Sequence, residues 1–165
     1  MARVSIAGLE LAGEVSFAFE EEPEELGLSG DAPRFEGRIC AAGRIFRTGK
    51  SFRVEGAVRC RRTFLCDRCL EPGEEEQEIP FSEDVGLSGL TDSGEYLLDG
   101  DLLDLSSLIR DTVLAAQPIQ NLCSTECRGL CPSCGANLNL GDCSCGSEAI
   151  DPRWAALASW RQGEE

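Results

Sequence analysis

The distribution of cysteine is the feature that most restricts how this chain can fold. Six of its ten cysteines lie between residues 123 and 145, and the sequence contains no histidine. The N-terminal segment lacks the apolar run and the cleavage site of a signal peptide, so we expect a cytoplasmic protein with reduced thiols. In that compartment a dense cysteine cluster is more typical of metal binding than of disulfides.

The stretch CPSCG at 131–135 has the form of a zinc knuckle. Two thiolates two residues apart can face one ion, and a glycine after the second cysteine permits the turn that directs backbone N–H groups at sulfur. CSC at 143–145 supplies a second pair. Without histidine a tetrahedral site needs four cysteines unless a carboxylate joins, and such a closed site is structural. The predicted zinc ligands are Cys131, Cys134, Cys143 and Cys145.

The other cysteines leave two arrangements open. In the first, one zinc takes the four ligands above, with Cys127 as a substitute for one of the last two. In the second, the CDRC motif at 66–69 contributes to another zinc site that fastens the cysteine-rich segment to the rest of the fold. The ligands of that second site would be Cys66, Cys69, Cys123 and Cys127. An iron–sulfur cluster would accept the same ligand type.

CDRC also has the form of a redox dithiol. A thioredoxin-like motif sits between a strand and a helix in a βαβ unit, whereas here Pro72 and Gly73 follow almost at once. A thiol redox protein is therefore a remote alternative.

Residues 34–66 alternate apolar and polar positions, which is typical of antiparallel strands with one buried face. A hairpin turn is predicted at 48–50, and further strands at 14–20 and 74–81. The residues predicted to face inward are Phe35, Ile39, Ile45, Phe52, Val54, Val58, Ile79 and Phe81. Cys40 and Cys60 are predicted to be small buried residues on strand faces.

The strongest helix signal covers residues 101–117, with Asp101 or Asp104 as N-cap and Pro118 as terminator. A short helix is predicted at 151–160, and an exposed loop at 84–96. The fold class predicted is therefore α+β: a barrel- or sandwich-like antiparallel sheet, a packing helix and a C-terminal zinc knuckle. We predict a sheet-and-helix domain over 1–118 and a cysteine-rich module over 119–165.

The formal net charge is −15, yet ten of the fifteen basic residues lie between Arg34 and Arg68. Alternation places many of them on one exposed strand face, where arginine suits contact with RNA phosphates. The predicted RNA contacts are Arg38, Arg44, Arg53, Arg59 and Arg61. Glutamates on the next strand could instead neutralise this face within the fold. In that case the acidic remainder would instead attract a basic protein.

Four motifs together resemble one family: CDRCLEP (66–72), CRGLCPSCGANLN (127–139), the closing CSC and IDPRWAAL (150–157). These are similar to the YceD family, the large ribosomal RNA subunit accumulation proteins of bacteria. The resemblance implies a non-enzymatic role in accumulation of large-subunit ribosomal RNA and in ribosome assembly, with ribosomal RNA or a ribosomal protein as partner. It implies no catalytic residue.

The residues themselves also favour a protein that is not an enzyme. Histidine, the commonest general acid–base group near neutral pH, is absent from the sequence. There is no phosphate-binding glycine loop or nucleophile elbow, and no apolar stretch long enough to cross a membrane. We expect neither a small-molecule substrate nor a membrane partner.

Overall fold

The structure is a computed structural model that describes residues 2–7, 9, 13–30, 34–49, 51–86, 98–145 and 152–154. The strands are β1 (Arg3–Ser5), β2 (Glu14–Glu21), β3 (Arg34–Thr48), β4 (Ser51–Leu65), β5 (Pro72–Gly86), β6 (Leu98–Asp99) and β7 (Leu102–Asp104). Helix α1 is Ser106–Ala115, and 3-10 helices occur at Pro23–Leu26 and Pro152–Trp154.

Strands β2 to β5 form one antiparallel sheet in the order in which they follow along the chain. β3 and β4 form a long hairpin that closes at the Thr48–Ser51 pair, and Gly49 supplies the left-handed backbone (φ 62°) of its turn. The antiparallel sheet is therefore confirmed. Among the strands described, β2 and β5 are its two edges, so the sheet is an open meander and the predicted barrel closure is not seen there.

One face of this sheet is the core of the protein. Ile45 and Val54 pair directly across β3 and β4, and both are fully buried. The small sheet, in the order β1-β7-β6, and helix α1 contribute to the same core through Leu103, Ile109 and Val113. The predicted alternation therefore placed the apolar rows on the correct face.

The predicted helix began too early. Leu102–Asp104 is strand β7, in which Leu103 pairs with Val4, and the helix begins at Ser106. The N-cap position is occupied by Leu105, whose side chain makes no capping hydrogen bond. Asp104 nevertheless accepts a 2.9 Å hydrogen bond from the Ser106 N–H, so it does satisfy one free donor of the first turn.

The loop predicted at 84–96 was wrong at its start. Asp84 and Val85 belong to β5, where they pair with Arg53 and Phe52 of β4. Residues 87–97 lie outside the described part of the chain. Of the helix predicted at 151–160, the structure describes only the 3-10 turn at Pro152–Trp154. No helix in the described residues is long and apolar enough to cross a membrane.

Candidate metal centres

Four cysteines from two distant parts of the chain form what we call the first cluster: Cys66, Cys69, Cys123 and Cys127. Their sulfur atoms lie within 4.8 Å of one another. The Sγ atoms of Cys66 and Cys127 are 3.8 Å apart, and those of Cys69 and Cys123 are 3.6 Å apart. All but Cys123 are buried, and Leu122 and Leu130 pack against them. The cluster thus joins the end of β4 to the segment that follows helix α1.

A tight turn after β4 presents the first two of these sulfurs. The Leu70 N–H donates to the Cys66 carbonyl (2.9 Å), and the Cys66 N–H donates to the Glu71 carbonyl (2.9 Å). Backbone N–H groups of Cys123 and Cys69 point at the Cys66 sulfur and lower the pKa of that thiol to about 6. The pKa of Cys123 is raised to about 12, because its sulfur faces those of Cys127 and Cys69. Four thiolates this close repel one another unless a cation lies among them.

The second cluster consists of Cys131, Cys134, Cys143 and Cys145, whose sulfurs also lie within 4.8 Å of one another. Its first cysteine is buried, and the other three are partly or largely exposed. The N–H groups of Cys134 and Ser133 lower the pKa of Cys131 to about 6. The sulfurs of Cys134 and Cys131 raise the pKa of Cys145 to about 12. The two clusters thus share one pattern, in which the first cysteine of each CxxC receives backbone N–H groups.

The two CxxC turns also share one backbone geometry. The Gly135 N–H donates to the Cys131 carbonyl (2.8 Å), as the Leu70 N–H does to Cys66. Both residues are left-handed, with φ 73° at Gly135 and φ 60° at Leu70. Leu70 is the one non-glycine residue with positive φ in the described part of the chain. Leu70 is 62% exposed, so packing does not explain this strained conformation, whereas the turn that presents the two sulfurs does.

A buried polar contact beside the first cluster was missed by the sequence analysis. The Arg62 side chain is only 4% exposed, and its guanidinium donates to Glu75 Oε2 (2.7 and 2.9 Å) and to Asn121 Oδ1 (2.6 Å). It also lies 4.5 Å from the centre of the Phe64 ring. Two further hydrogen bonds join Asn121 and Asp67: the Asp67 N–H donates to the Asn121 carbonyl, and the Asn121 N–H donates to the Asp67 carboxylate. These contacts fix the segment leading to Cys123 against the sheet.

The structure brings all eight cysteines of the two predicted sets together, four in each cluster. Cys127 lies with Cys66, Cys69 and Cys123, rather than in the place of Cys143 or Cys145. Cys60 is buried, as predicted. Cys40 is not: it is partly exposed on the polar face of the sheet, because it pairs with Arg59, a residue of that face.

The five arginines predicted to contact RNA all lie on that polar face, and each has an acidic partner. Arg53 and Asp84 form the shortest pair (2.6 Å), followed by Arg61 and Glu76 (2.7 Å). The remaining pairs are Arg59–Glu78 (3.2 Å), Arg38 with Glu22 and Glu20 (3.1 and 3.3 Å), and Arg44 with Glu55 and Glu14 (3.5 and 3.7 Å). The face is thus an alternation of charges rather than a basic patch.

Fold and clusters together define the class: an antiparallel-sheet protein whose C-terminal segment carries a tetracysteine cluster and shares a second one with the sheet. A family model described as large ribosomal RNA subunit accumulation protein YceD matches residues 54–160, more than half of the chain. The chain therefore belongs to the YceD family. The matched region contains both clusters.

Individual relatives agree with this assignment. A chloroplastic large ribosomal RNA subunit accumulation protein homolog of Arabidopsis thaliana is 30% identical over 150 residues, covering 72% of this chain and 47% of its own length. An uncharacterized protein of Mycobacterium tuberculosis is 31% identical over 121 residues, covering 69% of this chain and 58% of its own length. The chain therefore spans about half the length of these relatives. No solved structure matches it significantly.

Proposed function

We propose that this chain is a non-enzymatic factor that supports accumulation of large-subunit ribosomal RNA, and thereby ribosome assembly, with two structural zinc ions. The observation that carries the proposal is the family match over residues 54–160, a family described by that role. The Arabidopsis relative has the same description. Because the chain spans only part of its relatives' length, the role proposed concerns the region that they share.

The geometry of the first cluster supports a single zinc ion there. With a Zn–S bond of about 2.3 Å, a tetrahedral ion separates its sulfurs by about 3.8 Å. The Cys66–Cys127 and Cys69–Cys123 separations of 3.8 and 3.6 Å fit that value. All four positions of such an ion would be filled by cysteine, so no water could bind and the site would be structural.

The same distances argue against a polynuclear iron–sulfur cluster. Its cysteines bind different iron atoms bridged by sulfide, so their sulfurs must be spread more widely than around one ion. In both clusters every sulfur lies within 4.8 Å of the other three. We therefore assign one ion to each cluster, and zinc is the ion that four thiolates in tetrahedral geometry suit best.

Metal analysis tests this part of the proposal. Protein purified without chelator is analysed for metal and for thiols in denaturant. Two zinc ions per chain, with ten thiols and no disulfide, are expected. One ion per chain would leave one cluster unassigned. Disulfides without metal would contradict the zinc assignment and favour the thiol redox alternative.

Measurement of ribosomal RNA in cells tests the functional part. A strain lacking the gene should contain less large-subunit relative to small-subunit ribosomal RNA, and the wild-type gene should restore the ratio. A Cys131→Ser/Cys134→Ser gene should restore it poorly, whereas the matched control Cys40→Ser should act as wild type. An unchanged ratio in the deletion strain would contradict the proposed role.

The paired arginine face raises the question of what the protein touches. Direct RNA binding by Arg38, Arg44, Arg53, Arg59 and Arg61 would require phosphates to replace carboxylates that already hold these side chains. A basic ribosomal protein is the second candidate partner. The observation that favours it is that these five positive charges are matched within the fold, in a chain of net charge −15.

One double substitution gives opposite results for the two partners. Glu76→Gln/Glu78→Gln releases Arg61 and Arg59 from their carboxylates without changing side-chain size. If RNA is the direct partner, the variant should bind large-subunit ribosomal RNA more tightly, with a steeper salt dependence. If a basic protein is the partner, the variant should bind ribosomal proteins more weakly. Glu24→Gln, which removes a carboxylate from the 3-10 helix rather than from a strand of this face, is the control.

A further inference from the structure

We propose that the two clusters bind metal cooperatively and that Asn139 is the positioning residue that couples them. This inference rests on the two metal sites of the proposed function. Asn139 belongs by sequence to the second cluster, because it lies in the loop between Cys134 and Cys143. Its side-chain nitrogen, however, lies 3.3 Å from the sulfur of Cys127, a member of the first cluster.

The hydrogen bonds around Asn139 settle which end of its amide faces the sulfur. Its Oδ1 accepts a 2.7 Å hydrogen bond from the Arg128 N–H. Its Nδ2 donates to Asn137 Oδ1 at 2.9 Å as well as to the Cys127 sulfur. Since the oxygen is engaged by an N–H donor, the NH₂ group is the end directed at Cys127. An N–H donor stabilises a thiolate and hence its bond to a metal ion.

Further contacts hold the loop of the second cluster against the first. The Leu138 N–H donates to the Gly129 carbonyl (2.9 Å), and Leu130 forms a β-bridge with Asn137. The Leu130 N–H donates in turn to the carbonyl of Arg68, inside the CDRC turn (3.1 Å). Gly129 has no side chain to separate these segments: a Cβ there would lie 3.0 Å from the Arg68 carbonyl oxygen. The loop therefore packs directly on the turn that carries Cys66 and Cys69.

These contacts predict the sign of the coupling. Binding of an ion by the second cluster ties Cys131 and Cys134 to Cys143 and Cys145, and so restricts the loop between them that carries Asn139. The first cluster then binds its ion with the Asn139 donor already in place. Linkage requires the reverse effect to be equal, so an ion in the first cluster strengthens binding at the second. Repulsion between two negatively charged tetrathiolate sites acts in the opposite direction.

Metal titration of the full chain tests the proposal. Reduced, metal-free protein is titrated with Zn²⁺ in competition with a chromophoric chelator, and separately with Co²⁺, whose thiolate charge-transfer bands report each site. In the wild type the second ion should bind about 10-fold more tightly than it would if the two sites were independent. This factor is the lower end of the change in metal affinity caused by losing a hydrogen-bond partner of a metal ligand. Asn139→Ala should bind two ions independently and shift the charge-transfer band of one site.

Leu140→Ala is the matched control, because Leu140 lies in the same loop and is largely exposed. It should retain the cooperativity and the spectrum of the wild type. With both clusters intact in every variant, the comparison does not depend on the folding of cysteine mutants. Independent filling in the wild type, or unchanged cooperativity in Asn139→Ala, would overturn the coupling but leave two zinc sites. A stoichiometry below two would overturn the coupling together with the second zinc ion.

Discussion

Arg62 Nη1 donates a 2.6 Å hydrogen bond to Asn121 Oδ1, and this contact joins β4 to the segment that leads into Cys123. The same guanidinium is paired with Glu75 of β5, so the buried charge of Arg62 has one partner in the sheet and one in the cysteine-rich segment. Buried charge is tolerated when its hydrogen-bond donors are used in this way. The junction between sheet and cysteine-rich segment is therefore fixed by protein contacts as well as by the first cluster.

Replacing Arg62 should weaken the fold measurably. In Arg62→Ala the Asn121 oxygen loses its donor, while Glu75, about half exposed, remains hydrated. We expect the free energy of unfolding to fall by about 2 kcal/mol, the range for a lost hydrogen bond to a charged group. Urea denaturation at constant zinc concentration measures it.

Arg61→Ala is the matched control for that experiment. Arg61 directly precedes Arg62 in β4, but it lies on the exposed face and pairs with Glu76 at the surface. Exposed pairs of this kind contribute little to stability. Equal losses in the two variants would show that the buried contact has no special role.

The left-handed backbone at Leu70 leads to a second prediction. A non-glycine residue in this conformation costs about 1–2 kcal/mol, and glycine removes that cost while increasing the entropy of the unfolded chain. Because the Leu70 side chain is largely exposed, Leu70→Gly should leave the free energy of unfolding unchanged or raise it by up to about 1 kcal/mol. Thermal and urea denaturation check this.

The opposite substitution at the second cluster, Gly135→Leu, serves as the comparison for Leu70→Gly. Gly135 has the same conformation at the same position of its CxxC turn, so Gly135→Leu should destabilise the protein by about 1–2 kcal/mol. A clear loss of stability in Leu70→Gly would contradict the interpretation, because it would mean that the leucine side chain itself supports the turn.

The alternation of β3 and β4 could be read from sequence because successive side chains of a strand point to opposite faces. The alternation of inward and outward side chains continues past the β-bulge. Between Glu36 and Cys40, β3 runs four residues while β4 runs two, and because both numbers are even each strand keeps the same residues on the same face. The same rule already placed Arg62 on the inner face and Cys40 on the outer one. Residue type misled the prediction at Cys40, since cysteine is usually buried, and no prediction was made for Arg62.

The cysteine partition, by contrast, could not be deduced from spacing. In the described part of the chain, β5, β6, β7 and helix α1 lie between CDRC and the Cys123–Cys127 pair, and only the path of that chain brings the two motifs together. The predicted start of the helix was wrong for a similar reason. Asp101–Asp104 has a helical pattern locally, but pairing of β7 with β1 buries Leu103 and overrides it.

Asp104 should make stability depend on acid pH. Partial burial of its carboxyl opposes ionisation, but hydrogen bonds from the Ser106 hydroxyl and N–H and from Arg3 outweigh this and lower the pKa of Asp104. Because the folded-state pKa lies below the unfolded value of about 3.9, the carboxylate stabilises the fold fully above that pH. The contribution is lost as pH falls through the folded-state pKa.

Asp104→Asn isolates this contribution. At pH 7 the variant should be less stable by about 0.5 kcal/mol, because asparagine keeps an oxygen for the Ser106 N–H but loses the negative charge that interacts with Arg3 and with the helix N-terminus. The difference from wild type should shrink as pH falls below about 4. Urea denaturation at both pH values gives the difference, and Asp111→Asn, on the exposed face of α1, is the control. A difference that stays constant with pH would show that the carboxylate charge is not involved.

Alkylation distinguishes the two cysteines that belong to neither cluster. Cys40 is partly exposed among the arginines of the polar face, whereas Cys60 is buried, and burial raises the pKa of the Cys60 thiol. Because the thiolate is the reactive species and must be reached by the reagent, iodoacetamide should modify Cys40 of the native, metal-loaded protein well before Cys60. Peptide mass spectrometry over a time course measures both rates, and Cys40→Ser identifies the first site. Faster modification of Cys60 would mean that β4 faces solvent on the side assigned to the core.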